Sequence, residues 1–165
     1  MRRRILIFAL LGGLLLAFAA WRYSPTQVLK RRCDSFFNVI SISAKQPSEA
    51  RHVQALKLGD YLDRNVALAA KELPEEIESP LPSGEVQAIF AAACDACSFI
   101  AITERQFEFI GIDGDQATVQ AMIKVAVGHP AGDKGFNGTH RIMLSWHRLT
   151  QGWVLTKVAW EKTGR

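Results

Sequence analysis

In "QATVQAMIKVAV" (residues 116–127) every second residue is apolar: Ala117, Val119, Ala121, Ile123, Val125 and Val127. A period of two is what a strand needs to bury one face and wet the other. A slip of one residue would carry the whole apolar row into water, so the row demands a cover and fixes its own register. Few features of a chain restrict its fold more.

The flanking segments continue the pattern. "ERQFEFIGI" runs into the turn signal "DGD" before this strand. "HRIMLSWHRL" follows a glycine-rich link, "GHPAGDKGFNGT", and the turn Thr150-Gln151-Gly152 opens "WVLTKVAWEK". The carboxy-terminal half therefore reads as a meander of about four antiparallel strands. The expected buried side holds Phe107, Phe109, Val119, Ile123, Ile142, Leu144, Trp146, Trp153 and Leu155. Gln120, Lys124, Ser145, His147 and Thr156 fall on a mixed outer side that suits water or a second subunit.

The cover lies upstream. Ser24-Pro25-Thr26 is a helix start, and Leu29, Cys33, Phe36, Phe37 and Ile40 form one stripe at helical spacing. A second helix begins near Pro47-Ser48-Glu49 and ends near Tyr61-Leu62. "NVALAAK" then alternates as a short strand, and the proline-rich acidic "ELPEEIESPLPS" reads as a loop. Ser83 is the expected cap of a third helix reaching about Phe99, with Val86, Ile89, Phe90, Ala93, Cys97 and Ile100 on one face. The expectation is an α+β fold: three helices packed on a curved antiparallel sheet of about four to six strands, after an amino-terminal apolar helix.

The charge is uneven. Seven of the 20 Lys and Arg residues lie within residues 1–32, which hold no acid. The other 13 face all 16 acidic residues, so the rest of the chain is net −3 although the whole is +4. Basic character thus belongs to the flanks of one apolar run, and a nucleic-acid surface on the folded domain is not expected. That run, "ILIFALLGGLLLAFAAW" at residues 5–21, would extend about 25 Å as a helix, close to a bilayer core of about 30 Å. Trp21 and Tyr23 suit the interface, and Arg2, Arg3 and Arg4 on the short side place the domain outside the cytoplasm, on the periplasmic side in a bacterium. Residues 1–23 are read as an anchor or signal segment and residues 24–165 as the domain. The alternative is a secreted chain cut near Ala19, where Ala17-Phe18-Ala19 matches a cleavage pattern.

"IDGDQATVQAMIKV" at 112–125 and "LTQGWVLTKV" at 149–158, in this order of elements, resemble the nuclear transport factor 2-like superfamily. That group includes ketosteroid isomerase-like and polyketide-cyclase-like proteins. The resemblance spans roughly residues 26–162 and implies a cone-shaped α+β fold. Its enzymatic members bury a carboxylate or histidine in the cone, sometimes opposite a tyrosine. Here the first helix has no tyrosine, Asp60 and Tyr61 make a poorly matched pair, and the expected inner side of the sheet offers no acid and no histidine. The function read from the sequence is accordingly a membrane-anchored extracytoplasmic binding or assembly module, with no catalytic, cofactor or metal residues named. An isomerase- or lyase-type enzyme using the cone is the alternative. A hollow cone with a buried ionisable group would favour that enzyme, and a filled one with an apolar patch on the outer sheet face would favour the binding module.

Several residues invite chemistry. Phe107, Phe109, Trp146 and Trp153 are the expected lining if the cone is hollow. His129 and His140 stand at facing strand ends with Asp133 between them, a weak metal pattern more simply read as two exposed histidines. The "GHPAGDKGFNGT" link lacks the G-K-[ST] ending of a phosphate loop. Cys94 and Cys97 form a C-x-x-C pair without the context of a thioredoxin or haem site. Buried small thiols, a disulfide between Cys33 and either Cys94 or Cys97, and redox or metal chemistry remain the open readings. Expected partners are the membrane and a protein or second copy on the outer sheet face; the small-molecule ligand is unknown.

Overall fold

The structure, a computed structural model, describes residues 13–14, 16–70, 80–128 and 137–163. Its elements are α1 (Pro25–Val39), α2 (Ser48–Leu58), a 3-10 turn (Gly59–Tyr61), β1 (Leu62–Ala70), β2 (Leu81–Pro82) and α3 (Ser83–Ala96). Four long strands follow: β3 (Phe99–Asp113), β4 (Gln116–Gly128), β5 (Gly138–Leu149) and β6 (Gly152–Thr163). Most of the expected anchor, residues 1–12 and 15, lies outside the described residues. Residues 16–22 are helical, and among the described residues no helix is long and apolar enough to cross a membrane.

Helix α1 starts where expected. Pro25 takes the first turn, where a missing N–H costs nothing, and the Ser24 hydroxyl accepts from the Gln27 N–H. Leu29, Cys33, Phe36 and Phe37 are its buried stripe. Helix α3 departs from expectation at both ends. Pro82, not Ser83, holds the N-cap position, without a side-chain cap, and the helix stops at Ala96 because Cys97 turns extended at φ −105°, ψ 140°. Cys97 therefore leaves the stripe it was expected to share with Phe90 and Ala93.

The sheet has six strands in the order β2-β1-β6-β5-β4-β3. The meander β3 to β6 is antiparallel throughout. Strand β1, however, pairs in parallel with β6, so the sheet is mixed rather than wholly antiparallel. The chain reaches β6 from β1 only after α3 and the meander, which is the long crossover that parallel pairing requires. Between β3 and β4 the turn is just Gly114-Asp115, with Gly114 at φ +57°, a conformation glycine adopts without strain.

Strand β4 buries Ala117, Val119, Ala121 and Ile123, as its alternation requires. Across it, β5 buries Ile142, Leu144 and Trp146. A large side chain removed from water contributes about 1.5–3 kcal/mol, and Leu144, Trp146, Phe37 and Leu155 are at most 1% exposed. Strand β3 breaks the count twice. Thr103 faces Lys124 while Gln106 faces Met122, and Phe107 faces Ala121 while Phe109 faces Gln120. Each step carries one more residue on β3 than on β4, a pair of bulges. The second turns Phe109 to the outer side, where it is 54% exposed. The expectation of a buried Phe109 fails on that extra residue.

Candidate functional site: an apolar cone with one histidine

The fold encloses its aromatic residues unevenly. At one end Phe36 packs edge-on against Trp146, with centroids 6.0 Å apart at 89°, and also touches Tyr61 and Phe37. The Cys33 thiol is buried beside them, pushed up to about 12 by burial first and the Asp34 charge second, against a smaller opposing pull from the Trp146 indole. That contact falls short of a hydrogen bond of ordinary geometry: Trp146 Nε1 is buried without one. This end is filled.

Toward α3 the packing stops short and leaves a cavity of about 390 Å³. Phe36 and Phe37 of α1, with Ile40 just past its end, reach it, as do Val86, Ile89, Phe90 and Ala93 of α3. The sheet supplies the opposite wall, from Val66 and Leu68 of β1 across to Ile123 of β4. The hollow opens partly to solvent, where the close packing of the rest of the interior stops.

Every described lining residue but one is aliphatic or aromatic. The exception is His140, on β5 between Ile123 of β4 and Lys162 of β6. It is 4% exposed and, among the described residues, is the buried polar one of the core. The expectation of an exposed strand-end histidine, and of an inner face without one, is corrected here. His140 stands two residues before Ile142 and four before Leu144, so strand parity turns all three inward. That parity was readable in the sequence, but the adjoining glycine-rich link disguised residue 140 as a strand end. His129 and Asp133 lie outside the described residues. Among those described, no cluster of His, Cys, Asp and Glu is fit to hold a metal.

The four aromatic residues expected to line a hollow sit elsewhere. Trp146 fills the closed end, and Trp153 is buried with its carbonyl accepting from Arg32 Nε at 3.1 Å. Phe107 is partly buried against Phe37, with Lys30 Nζ 5.3 Å from its centroid. Phe109 faces outward. Tyr61 lies under the Arg32 guanidinium, 4.0 Å from carbon to centroid, and Asp60 receives the same guanidinium at its backbone carbonyl. The Asp60–Tyr61 pair is thus absorbed in a structural contact and does not line the cavity. The aromatic residues that do are Phe36, Phe37, Phe90 and Trp160.

Arg51 holds α3 in place over the hollow. Its Nη1 donates to the carbonyls of Cys94 and Cys97 at 3.0 and 2.8 Å, and its Nη2 to Ser98 at 3.0 Å. The Cys94 carbonyl is one that a helix end leaves without a partner, and the other two lie just past the end of α3. The three cysteines are free thiols: Cys33 and Cys94 buried, Cys97 partly exposed.

Chemically, the hollow offers an apolar body a hydrocarbon surface, and its one polar side chain, His140, is already engaged within the protein. A relay with acid and base on two sides of a substrate needs a second polar group, and the described lining holds none.

No family model matches the sequence, and no curated protein matches it. Solved structures do. A candidate dehydratase of the NTF2-like family from Streptomyces avermitilis superposes with a TM-score of 0.61 at 14% identity, covering 85% of this chain and 96% of its own. An NTF2-like protein from Cytophaga hutchinsonii reaches 0.60 at 11% identity, over 84% and 98%. The chain has the NTF2-like fold. A candidate aromatic ring hydroxylase from Novosphingobium aromaticivorans is similar over 70% of this chain and 78% of its own, with a TM-score of 0.54 at 14% identity. At such identities the likeness speaks for the fold alone, since one scaffold hosts many activities.

Proposed function

We propose that the domain binds a small apolar molecule inside the cone, held outside the cytoplasm by the apolar segment at residues 5–21. The observation that carries the reading is the hollow itself. Its volume of about 390 Å³ falls within the range of roughly 300–1,000 Å³ typical of ligand sites. A module that served only assembly would have no use for an unfilled core. The apolar run with its arginine triplet supports the anchored part of the reading.

The test uses N-phenyl-1-naphthylamine, an uncharged fluorophore that brightens in apolar surroundings. The protein is expected to bind it one to one. Ala93, on the cavity-facing side of α3, is the place to fill. Ala93→Trp is expected to abolish binding while circular dichroism stays unchanged, at an overpacking cost of about 1–3 kcal/mol. Equal binding by wild type and a folded Ala93→Trp would remove the cavity from consideration.

A further inference from the structure

We propose that Cys94 and Cys97 form a dithiol site that exchanges with small disulfides, Cys97 taking the first bond and Cys94 closing it to an internal one. The inference stands apart from the small-molecule reading above and concerns the carboxy-terminal end of α3. Cys94 is buried in the last turn of that helix, whereas Cys97 follows its end and is partly exposed. One thiol can meet a reagent from solution and the other cannot, which fixes the order of events. Cys33 takes no part, being packed beside Trp146 in the filled end of the cone.

The geometry allows the internal bond. The Cys97 N–H still donates to the Ala93 carbonyl at 3.0 Å, so the turn between the two cysteines is helical up to that nitrogen. Helical residues three apart have α-carbons about 5 Å apart, inside the range of about 4.4–6.8 Å that a disulfide spans. Within a continuous helix their β-carbons stay about 1 Å too far apart. Here the backbone turns extended at Cys97 itself, with φ −105° and ψ 140°, so α3 need not unwind to close the gap. Burial, and then the Asp95 charge, hold the Cys94 thiol above its ordinary value; Arg51 opposes them and the Cys97 thiolate adds to them. Once Cys97 is tied up in a mixed disulfide that last charge is gone, and Cys94 ionises more readily at the step that needs it.

The exchange balances. The Cys97 thiolate attacks one sulfur of a small disulfide RSSR, whose S–S bond breaks and releases RS−. Cys94, having lost its proton, attacks the Cys97 sulfur and expels the second RS−. Two protein thiols are oxidised, RSSR is reduced, and the two cysteine protons end on two RSH. A loop this short gives such a bond little added stability, so excess RSH is expected to reopen it.

The test uses the full chain, reduced beforehand and held in mild detergent, then incubated with oxidised glutathione at pH 8 and quenched in acid. Cys94 and Cys97 share the tryptic peptide of residues 72–105, and Cys33 falls in another. By mass spectrometry the wild type is expected to lose two hydrogens within that peptide and keep no glutathione, its circular dichroism unchanged. Excess reduced glutathione should restore both thiols. Cys94→Ser is expected to retain one glutathione on Cys97, and Cys97→Ser to react about tenfold more slowly than wild type. A wild type that keeps glutathione on Cys97, pairs Cys33, fails to react or resists reduction overturns the proposal. Each of those outcomes is read on the wild type alone, so the decision stands should a variant not fold.

Discussion

Cys33 and His140 are both small departures from hydrocarbon in a buried core, and they differ in what surrounds them. Cys33 sits in the filled end, packed by α1 and Trp146, and burial drives its thiol from 9.0 to about 12. Since only the thiolate is nucleophilic, roughly one such group in ten thousand is reactive near pH 8. The Cys94 thiol is also pushed up, by burial and then by Asp95, whereas Cys97 is partly exposed. Iodoacetamide on the native protein at pH 8 is therefore expected to label Cys97 first, Cys94 slowly and Cys33 only after unfolding, as read by peptide mass spectrometry. Early labelling of Cys33 would contradict its place in the core. The sign of the linkage follows. A thiol whose folded value lies above its unfolded one favours the native state below about pH 9, and that contribution is lost as pH rises from 9 toward 12. Cys33→Ala should flatten that part of the stability profile.

At the scale of elements, much was legible because each element repeats its own rule. The α1 stripe, the β4 alternation and the two short turns are local statements, and all appear where the sequence places them. What stayed hidden depends on counting across strands. The bulges in β3 add residues that no one-strand pattern reveals, so Phe109 faces out while Ile110 and Ile112 return to the inner side. The parallel β1–β6 pair is a long-range fact of the same kind. The hollow was partly legible too. Its helical wall is written in the stripes of α1 and α3, whereas on the sheet Trp146 fills the closed end and Phe109 points away. The first bulge contains Glu104, which adopts φ +50°, the only non-glycine residue at positive φ among those described. A residue there bears about 1–2 kcal/mol of steric cost, most for a β-branched side chain. Glu104→Val is accordingly expected to be about 1–2 kcal/mol less stable than Glu104→Gly in urea unfolding. Both variants lose the 2.8 Å pair with Lys124, so their difference isolates the backbone. Equal stability would mean that the bulge relaxes without that conformation.

For the whole molecule, a domain of no net charge at residues 24–165 follows a basic and apolar segment at residues 1–23. The helical residues 16–22 lead through Tyr23 and Ser24 into α1. Leu16, Phe18, Trp21 and Tyr23 are 56–74% exposed among the described residues. Such a row is costly in water and comfortable in the interfacial layer of a bilayer, where Trp and Tyr concentrate. Arg22, Arg31 and Arg32 lie close behind, and Arg31 Nη2 donates to the Arg22 carbonyl at 2.9 Å, keeping charge near where headgroups would be. An anchored domain would therefore stand close to the surface, with α1 as its root and the cavity one helix stripe away. An apolar, lipid-soluble ligand would then be most concentrated in the phase the domain touches, so anchoring and ligand chemistry support one another. The full chain is expected to stay with membranes through alkaline carbonate extraction and to enter the detergent phase with its first residues intact. A chain released by carbonate and shortened to begin near Ala20 would instead establish cleavage, and with it a diffusible binder that must meet its ligand in water.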